Sequence, residues 1–126
     1  MANIFLEIAV QPPPVIRLGA ILNPPLAVTM RSTTVINGYS NDISQVWAAI
    51  TLIDGNDEAT SDISGIIADS MHAFPNGDDS TGYFLFDSLS IGSVRSFRLR
   101  VTLMRMDNSD ATSRQHVESD LIVVED

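Results

Sequence analysis

The sequence predicts an all-β fold, a two-sheet antiparallel β-sandwich. Short apolar runs recur along the chain, clusters of turn-forming residues separate them, and no window shows the three-and-four spacing of an amphipathic helix. Many short strands at this spacing are typical of a sandwich or barrel. With 126 residues, the chain is predicted to form one domain, residues 1–126, that is large enough to bury an apolar core.

Eight strands are predicted, in this order: Ile4–Val10, Val15–Leu18, Leu26–Val35, Val46–Ile53, Ile66–Ala73, Tyr83–Phe86, Ser96–Met106 and Leu121–Val124. The best helical candidate, Ile63–His72, is rich in β-branched residues and is interpreted as strand. Prolines interrupt Gln11–Leu26, and proline lacks a backbone donor, so this segment is expected to be an extended edge crossing between sheets. Asn37–Asp42 and Asp54–Asp62 are expected to be mobile loops.

The segment Gly82–Met106 is the most informative part of the chain. It is interpreted as two strands joined by a short polar connection. The second of these strands alternates strictly, and successive side chains of a strand point to opposite faces. The predicted core residues are Phe97, Leu99, Val101 and Leu103, and the predicted outward residues are Arg98, Arg100 and Thr102.

The strand Val46–Ile53 is apolar on both faces, whereas a strand within a two-layer sandwich should have one polar face. Its side chains at 46, 48, 50 and 52 face one way, and those at 47, 49, 51 and 53 face the other. Either a long loop buries the second face, or a second subunit packs against it. The second alternative makes this strand a candidate dimer interface, with the residues Val46, Trp47, Ala49, Thr51 and Ile53.

The charge balance argues against nucleic acid as a direct partner. The chain has no lysine, and seven arginines face sixteen carboxylates, for a net charge of −9. Fourteen of the carboxylates but only five of the arginines follow Ile53. Protein affinity for nucleic acid depends on neutralising phosphates, and a field of this sign repels a polyanion.

Other sequence features point to an intracellular protein of the cytoplasm or nucleus. Cysteine is absent, which excludes disulfides and thiolate metal sites. The amino terminus lacks the basic region of a secretory signal, and its apolar run is too short to span a bilayer.

No catalytic or metal-binding pattern is found. There is no G-x-S-x-G motif, and His72 and His116 have no sequence pattern of partners. The acidic run Asp54–Glu58 superficially resembles a calcium loop but lacks a glycine at the required turn position and the bidentate glutamate at the end of such a loop, and it is interpreted as a solvated hairpin connection. We therefore expect no enzyme activity, no cofactor and no identifiable small-molecule ligand.

Four arginines are the candidate contacts to nucleic acid. Arg98 and Arg100 share one strand face about 7 Å apart. They are expected either to pair with the abundant surface carboxylates or to contact a partner chain or a phosphate. Arg17 and Arg31 lie in the near-neutral first part of the chain.

A glycine, an F-x-F segment, an L-S-[VI] segment and an aromatic-R-L-[RK] segment follow one another, formed by Gly82, Phe84, Phe86, Leu89, Ser90, Ile91, Phe97, Arg98, Leu99 and Arg100. This pattern resembles the velvet domain of fungal developmental regulators. Three further segments resemble family segments in the same order, namely Leu6–Pro12, Asn23–Arg31 and Ser119–Asp126. The resemblance implies a Rel-type or immunoglobulin-like sandwich that regulates fungal development by pairing with itself or with another velvet-like domain.

The chain departs from the family in its charge. The resemblance implies a basic loop that contacts DNA, but the corresponding segment Pro13–Leu22 has Arg17 as its only charge. The family's closing lysine pair is absent, and Asp87 and Ser88 stand where the family has proline and aspartate. DNA binding is therefore expected to be weak, absent or supplied by a partner.

Two alternatives remain open. One is a small fungal binding or defence module, for example one that binds carbohydrate, because sandwich folds host many functions. The other is a DNA-binding velvet transcription factor in which the residual arginines replace the basic loop.

Overall fold

The computed structural model describes residues 4–32, 46–72, 81–107 and 110–126, and within these ranges the chain forms strands and no helix. The strands are β1 (Ile4–Val10), β2 (Val15–Arg17), β3 (Leu26–Ser32), β4 (Val46–Asp54), β5 (Ala59–Thr60), β6 (Ile63–Ser64), β7 (Ala68–Ser70), β8 (Thr81–Phe86), β9 (Ser90–Ile91), β10 (Ser96–Asp107), β11 (Asp110–Glu118) and β12 (Ile122–Glu125). The predicted all-β fold class is confirmed. No helix in the described part of the chain is long and apolar enough to cross a membrane.

The strands form two main sheets. The smaller sheet has the order β1-β3-β8, and the larger has the order β2-β12-β10-β4-β5, with β11 also paired to β10 and β7 also paired to β4. A two-stranded ladder joins β6 to β9. The pairing of β2 with β12 is parallel, and the other pairings are antiparallel.

One apolar core lies between the inner faces of the two main sheets. Alternate side chains of β3, β8, β4, β10 and β12 enter it. The strict alternation predicted for β10 is confirmed, because its four predicted core side chains are at most 1% exposed while Arg98 is exposed and Arg100 is half-buried. Burial of a large apolar side chain contributes roughly 1.5–3 kcal/mol, so this alternation fixes which face of β10 points inward.

The second edge of β10 is divided between two partners. Its first residues pair with β12, and the stretch from Arg100 onward pairs with β11. Between them lies Ser119, a buried polar residue whose hydroxyl accepts a hydrogen bond from the Leu99 amide at 2.9 Å. The Ser119 amide donates to the Leu99 carbonyl, also at 2.9 Å. Ser119 therefore supplies the ladder bonds at the point where the neighbouring strand changes.

Two glycines are required by close backbone approach. A Cβ at Gly82 would lie 2.8 Å from the Met71 side chain, and one at Gly65 would collide with the Ser88 carbonyl. Gly65 also has a φ of +111°, which side-chain-bearing residues rarely adopt. These contacts hold the β6–β7 region against β8 and the turn that follows it.

Several predicted strands are found with small differences at their ends. The strand predicted over Leu26–Val35 is observed as β3, and the rest of that prediction, like the loop Asn37–Asp42, lies outside the described residues. The prediction for Gln11–Leu26 is confirmed in part: its prolines lie outside the strands and β2 forms the edge of the larger sheet, but a turn at Leu18–Gly19 interrupts the extended course.

Three predictions about strands and connections were wrong or incomplete, and one long strand was missed. Gly82–Met106 is not a simple strand pair: β8 and β10 belong to different sheets, with β9 between them. The strand predicted over Ile66–Ala73 is shorter: within its described part, residues 66–72, only β7 pairs within a sheet. Asp54–Asp62 is a tight β4–β5 hairpin followed by a short link to β6 rather than one loop. The long strand β11 was not predicted at all.

Candidate interaction surfaces

The outer face of β4 is partly covered by the chain itself. Cross-strand pairs place Trp47 between Met104 of β10 and Ser70 of β7, and Ala49 between Thr102 and Ala68. We call Trp47, Ala49, Ala68, Thr102 and Met104 the Trp47 face. Each of these residues is partly or fully exposed, so a partly apolar surface lies at the middle of the larger sheet.

The other predicted interface residues differ in their exposure. Thr51 is partly exposed beside the Trp47 face, whereas Ile53 is only 3% exposed and lies between Arg98 and Ala59 of the neighbouring strands. The Val46 side chain lies outside the described residues. The surface available to a partner is therefore centred on Trp47 and Ala49, and it does not include the Ile53 side chain.

Arg98 and Arg100 both belong to β10 and lie on the outer face of the larger sheet. The Arg100 Nε and Nη2 atoms donate hydrogen bonds to one Glu118 carboxylate oxygen at 2.8 and 2.6 Å, and Nη2 lies 3.4 Å from Asp57. Arg98 donates instead to the Ser119 carbonyl at 3.0 Å. Arg100 is thus neutralised by carboxylates, and Arg98 helps to hold the junction between β11 and β12.

Arg17 and Arg31 lie elsewhere. Arg17 is exposed on β2 at the edge of the larger sheet, and Arg31 is exposed on the outer face of the smaller sheet. Arg31 is on a different sheet from the other three arginines, and β12 lies between Arg17 on β2 and the two arginines on β10, so the four predicted contact residues do not form one patch.

A charged cluster joins the β4–β5 hairpin to the start of β10. The Asp54 carboxylate accepts hydrogen bonds from the amides of Asn56 and Glu58 at 2.8 and 3.1 Å, as expected for a solvated hairpin connection. Arg95 lies 3.8 Å from Asp54 and 3.9 Å from Asp62. These contacts hold the β4–β5 connection against the start of β10.

The pKa of Asp62 in that cluster is lowered from its ordinary value. A hydrogen bond from the Ser93 hydroxyl is the main cause; desolvation opposes it, and the Thr60 hydroxyl and Arg95 lower the pKa further.

Among the described residues, no group of three or more histidines and carboxylates is arranged to hold a metal ion.

His72 has a partner that the sequence did not reveal. Its Nε2 lies 3.0 Å from the Asp69 carboxylate, and its ring stacks on Tyr83 with the centroids 5.1 Å apart. The same carboxylate accepts a hydrogen bond from the Leu85 amide at 2.9 Å. Asp69 lies on β7 of the larger sheet and Leu85 on β8 of the smaller one, so this group links the two sheets.

The outer face of the smaller sheet has a hollow of about 260 Å³, lined by Phe5, Glu7, Thr29, Met30, Arg31 and Thr81. The Arg31 guanidinium lies over the Phe5 ring, 5.4 Å from its centroid. Sequence reasoning placed Arg31 among the candidates but missed Phe5 and Glu7. Their alternation within β1 was visible in the sequence, but their pairing with β3 was not.

Comparison with known proteins did not assign this chain to a family. No protein-family model matches this chain, and no curated protein matches it.

Proposed function

We propose that this chain is a velvet-like regulatory domain of fungal development that acts by pairing with a second velvet-like domain or with a second copy of itself. Its direct binding to DNA is weak or absent. The proposal rests on the ordered motifs that resemble the velvet domain, on the all-β sandwich class, and above all on the partly apolar Trp47 face.

The motif residues that carry the resemblance are mostly core residues. Phe84, Phe86, Leu89, Ile91 and Phe97 are fully buried in the core. A further motif residue, Gly82, packs against the Met71 side chain. Most of the motif residues therefore build the scaffold, with Ser90, Arg98 and Arg100 as the exceptions, and the proposed activity has to be sought on the surface of that scaffold.

The Trp47 face is the single observation that carries the proposal. When a partner packs against a tryptophan and a methionine that lie side by side on the outer face of a sheet, their apolar surface is removed from water. Tryptophan and methionine are both enriched in protein interfaces. Alanine and threonine around them leave the sheet surface low, so that a second sheet can approach closely. The acidic character of the chain favours a more basic velvet-like partner over a second copy.

The arginines give little support for direct DNA recognition. Arg100 is bound by two carboxylates, Arg31 lies on the smaller sheet, and Arg17 lies on the edge strand of the larger sheet with β12 between it and β10. A DNA-binding protein neutralises several phosphates along one continuous surface. The DNA-binding alternative would need these separated cations to act together.

Mass by light scattering, alone and after mixing with a lysine-rich velvet domain, tests the proposal. We expect a dimer or a one-to-one complex that the substitution Trp47→Ser weakens at least about tenfold, because a large interface side chain is lost. The control is Leu85→Ser, which removes an exposed apolar side chain from the other sheet and should leave association unchanged. A monomer under both conditions would contradict the proposal, as would equal effects of the two substitutions.

A further inference from the structure

The hollow on the smaller sheet brings together two opposite charges. Register pairs Phe5 with Arg31 and Glu7 with Thr29, so Glu7 and Arg31 are diagonal neighbours on adjacent strands. Both side chains are exposed. Among the residues described, neither the Glu7 carboxylate nor the Arg31 guanidinium has a hydrogen bond or an ion pair with the protein. Each charge therefore remains available to a ligand.

The Phe5 ring orients one of these charges. Phe5 is 49% exposed, and the Arg31 guanidinium lies over it. A planar guanidinium that rests on an aromatic ring is pre-oriented, and its edge can donate two parallel hydrogen bonds to a carboxylate. The exposed part of the ring offers an apolar contact next to the two charges.

The spacing of the two residues limits the size of the ligand. Diagonal neighbours on an antiparallel pair are about 7–8 Å apart at the backbone. Two residues this close on one face can bind two groups of one small molecule that are separated by only a few covalent bonds, a carboxylate at Arg31 and an ammonium at Glu7. The carboxylate and ammonium of an α-amino acid have such a separation.

We propose that this hollow binds a small zwitterion of the α-amino-acid type with an apolar side chain. Its carboxylate pairs with Arg31, its ammonium pairs with Glu7, and its side chain lies against Phe5. Thr29, whose hydroxyl is at the same level of the sheet as Glu7, adds a polar contact. The hollow is slightly smaller than the range of about 300–1,000 Å³ typical of drug-sized ligands, which suits a ligand of this size.

The net charge of the protein supports a zwitterion over an anion. A net charge of −9 repels a ligand with only a carboxylate or phosphate, whereas a zwitterion has no net charge to be repelled. A ligand with only an ammonium group would leave Arg31 without an acceptor. The site therefore discriminates by requiring both groups at once.

Titration of the ¹⁵N-labelled protein with L-leucine, followed by amide chemical shifts, tests this inference. We expect saturable shifts at residues of β1 and β3. Leucinol lacks the carboxylate, and 4-methylpentanoate lacks the ammonium, so each should bind at least about tenfold more weakly than leucine. Methyl glucoside serves as a neutral carbohydrate probe and should cause no shifts at these residues.

Two charge-removing variants and two matched controls complete the experiment. Glu7→Gln and Arg31→Gln should each weaken leucine binding at least about tenfold. Arg17→Gln and Glu125→Gln change an exposed pair on the edge of the other sheet and should bind leucine as the parent does. The inference is overturned if leucine causes no shifts, if Glu7→Gln and Arg31→Gln bind as the parent does, or if methyl glucoside shifts the same residues and leucine does not.

This site is separate from the surface used in the proposed function. The hollow contains no residue of the Trp47 face, so Trp47→Ser should leave leucine binding unchanged. Failure of one proposal therefore leaves the other standing.

Discussion

At the scale of single residues, the alternation along β10 decides which side chains contribute to stability. Leu99 is fully buried, with β4 pairing on one side and Ser119 on the other. Arg98, the residue before it, points outward and makes one hydrogen bond to a carbonyl. Neighbours in the sequence thus have opposite surroundings, and the same change at each should have very different effects.

Replacing Leu99 by Ala should lower the free energy of unfolding by about 2–5 kcal/mol, because it removes apolar contacts and leaves a cavity in the core. Replacing Arg98 by Ala should cost less than about 1 kcal/mol, as expected for an exposed charge. Urea denaturation of the two variants beside the parent measures both effects. Equal losses would show that the assignment of the two faces is wrong.

At the scale of elements, the junction between β11 and β12 depends on one buried hydroxyl. β10 is the longest strand, and no single neighbour spans its second edge. Ser119 fills the gap by accepting from the Leu99 amide and by donating to the Asp120 carbonyl at 2.9 Å. Arg98 and Gln11 hold the same junction from outside, through the Ser119 carbonyl and the Asp120 amide.

Replacing Ser119 by Ala should destabilise the fold by about 1–3 kcal/mol, because the buried Leu99 amide loses its acceptor. Ser64→Ala is the matched control, since among the described residues the Ser64 hydroxyl bonds only to Ser90 in an exposed position, and its loss should cost less than about 1 kcal/mol. Thermal unfolding and amide exchange at Leu99 measure the difference. Unchanged exchange at Leu99 in Ser119→Ala would argue against this role for the hydroxyl.

At the scale of the whole molecule, charge and architecture separate the surfaces. The larger sheet presents the Trp47 face and the Arg100–Glu118 pair, and the smaller sheet presents the hollow with Phe5 and Arg31. The net charge is −9, and the four arginines proposed from the sequence form no cluster that would offset it locally. In line with the two proposals, we therefore expect the molecule to contact a protein or a small zwitterion rather than a polyanion.

A salt titration of binding to duplex DNA tests this conclusion. We expect no submicromolar affinity near 150 mM salt, because the net field is repulsive and few phosphates can be neutralised at once. Fluorescence anisotropy with a labelled duplex is a suitable measurement, and a lysine-rich velvet domain is the positive control. A tight complex whose affinity falls steeply with salt would instead favour the DNA-binding alternative.

The sequence by itself determined the fold class and the inward face of β10. Turn residues and a period of two are local properties, and burial of alternate apolar side chains leaves one arrangement of that strand. The strand β11 was not predicted, because residues 110–118 are mostly polar and have no such local pattern. Their extended conformation comes from pairing with β10.

Only the tertiary structure decided which residues from distant parts of the chain meet. The sequence gives alternation within β1 and within β3, but the register between them is what places Glu7 diagonal to Arg31. It also gives two apolar faces on β4, but packing alone buried Ile53 and left Trp47 partly exposed. The physical reason is that pairing and packing act between residues far apart in the chain, and no local pattern encodes their register.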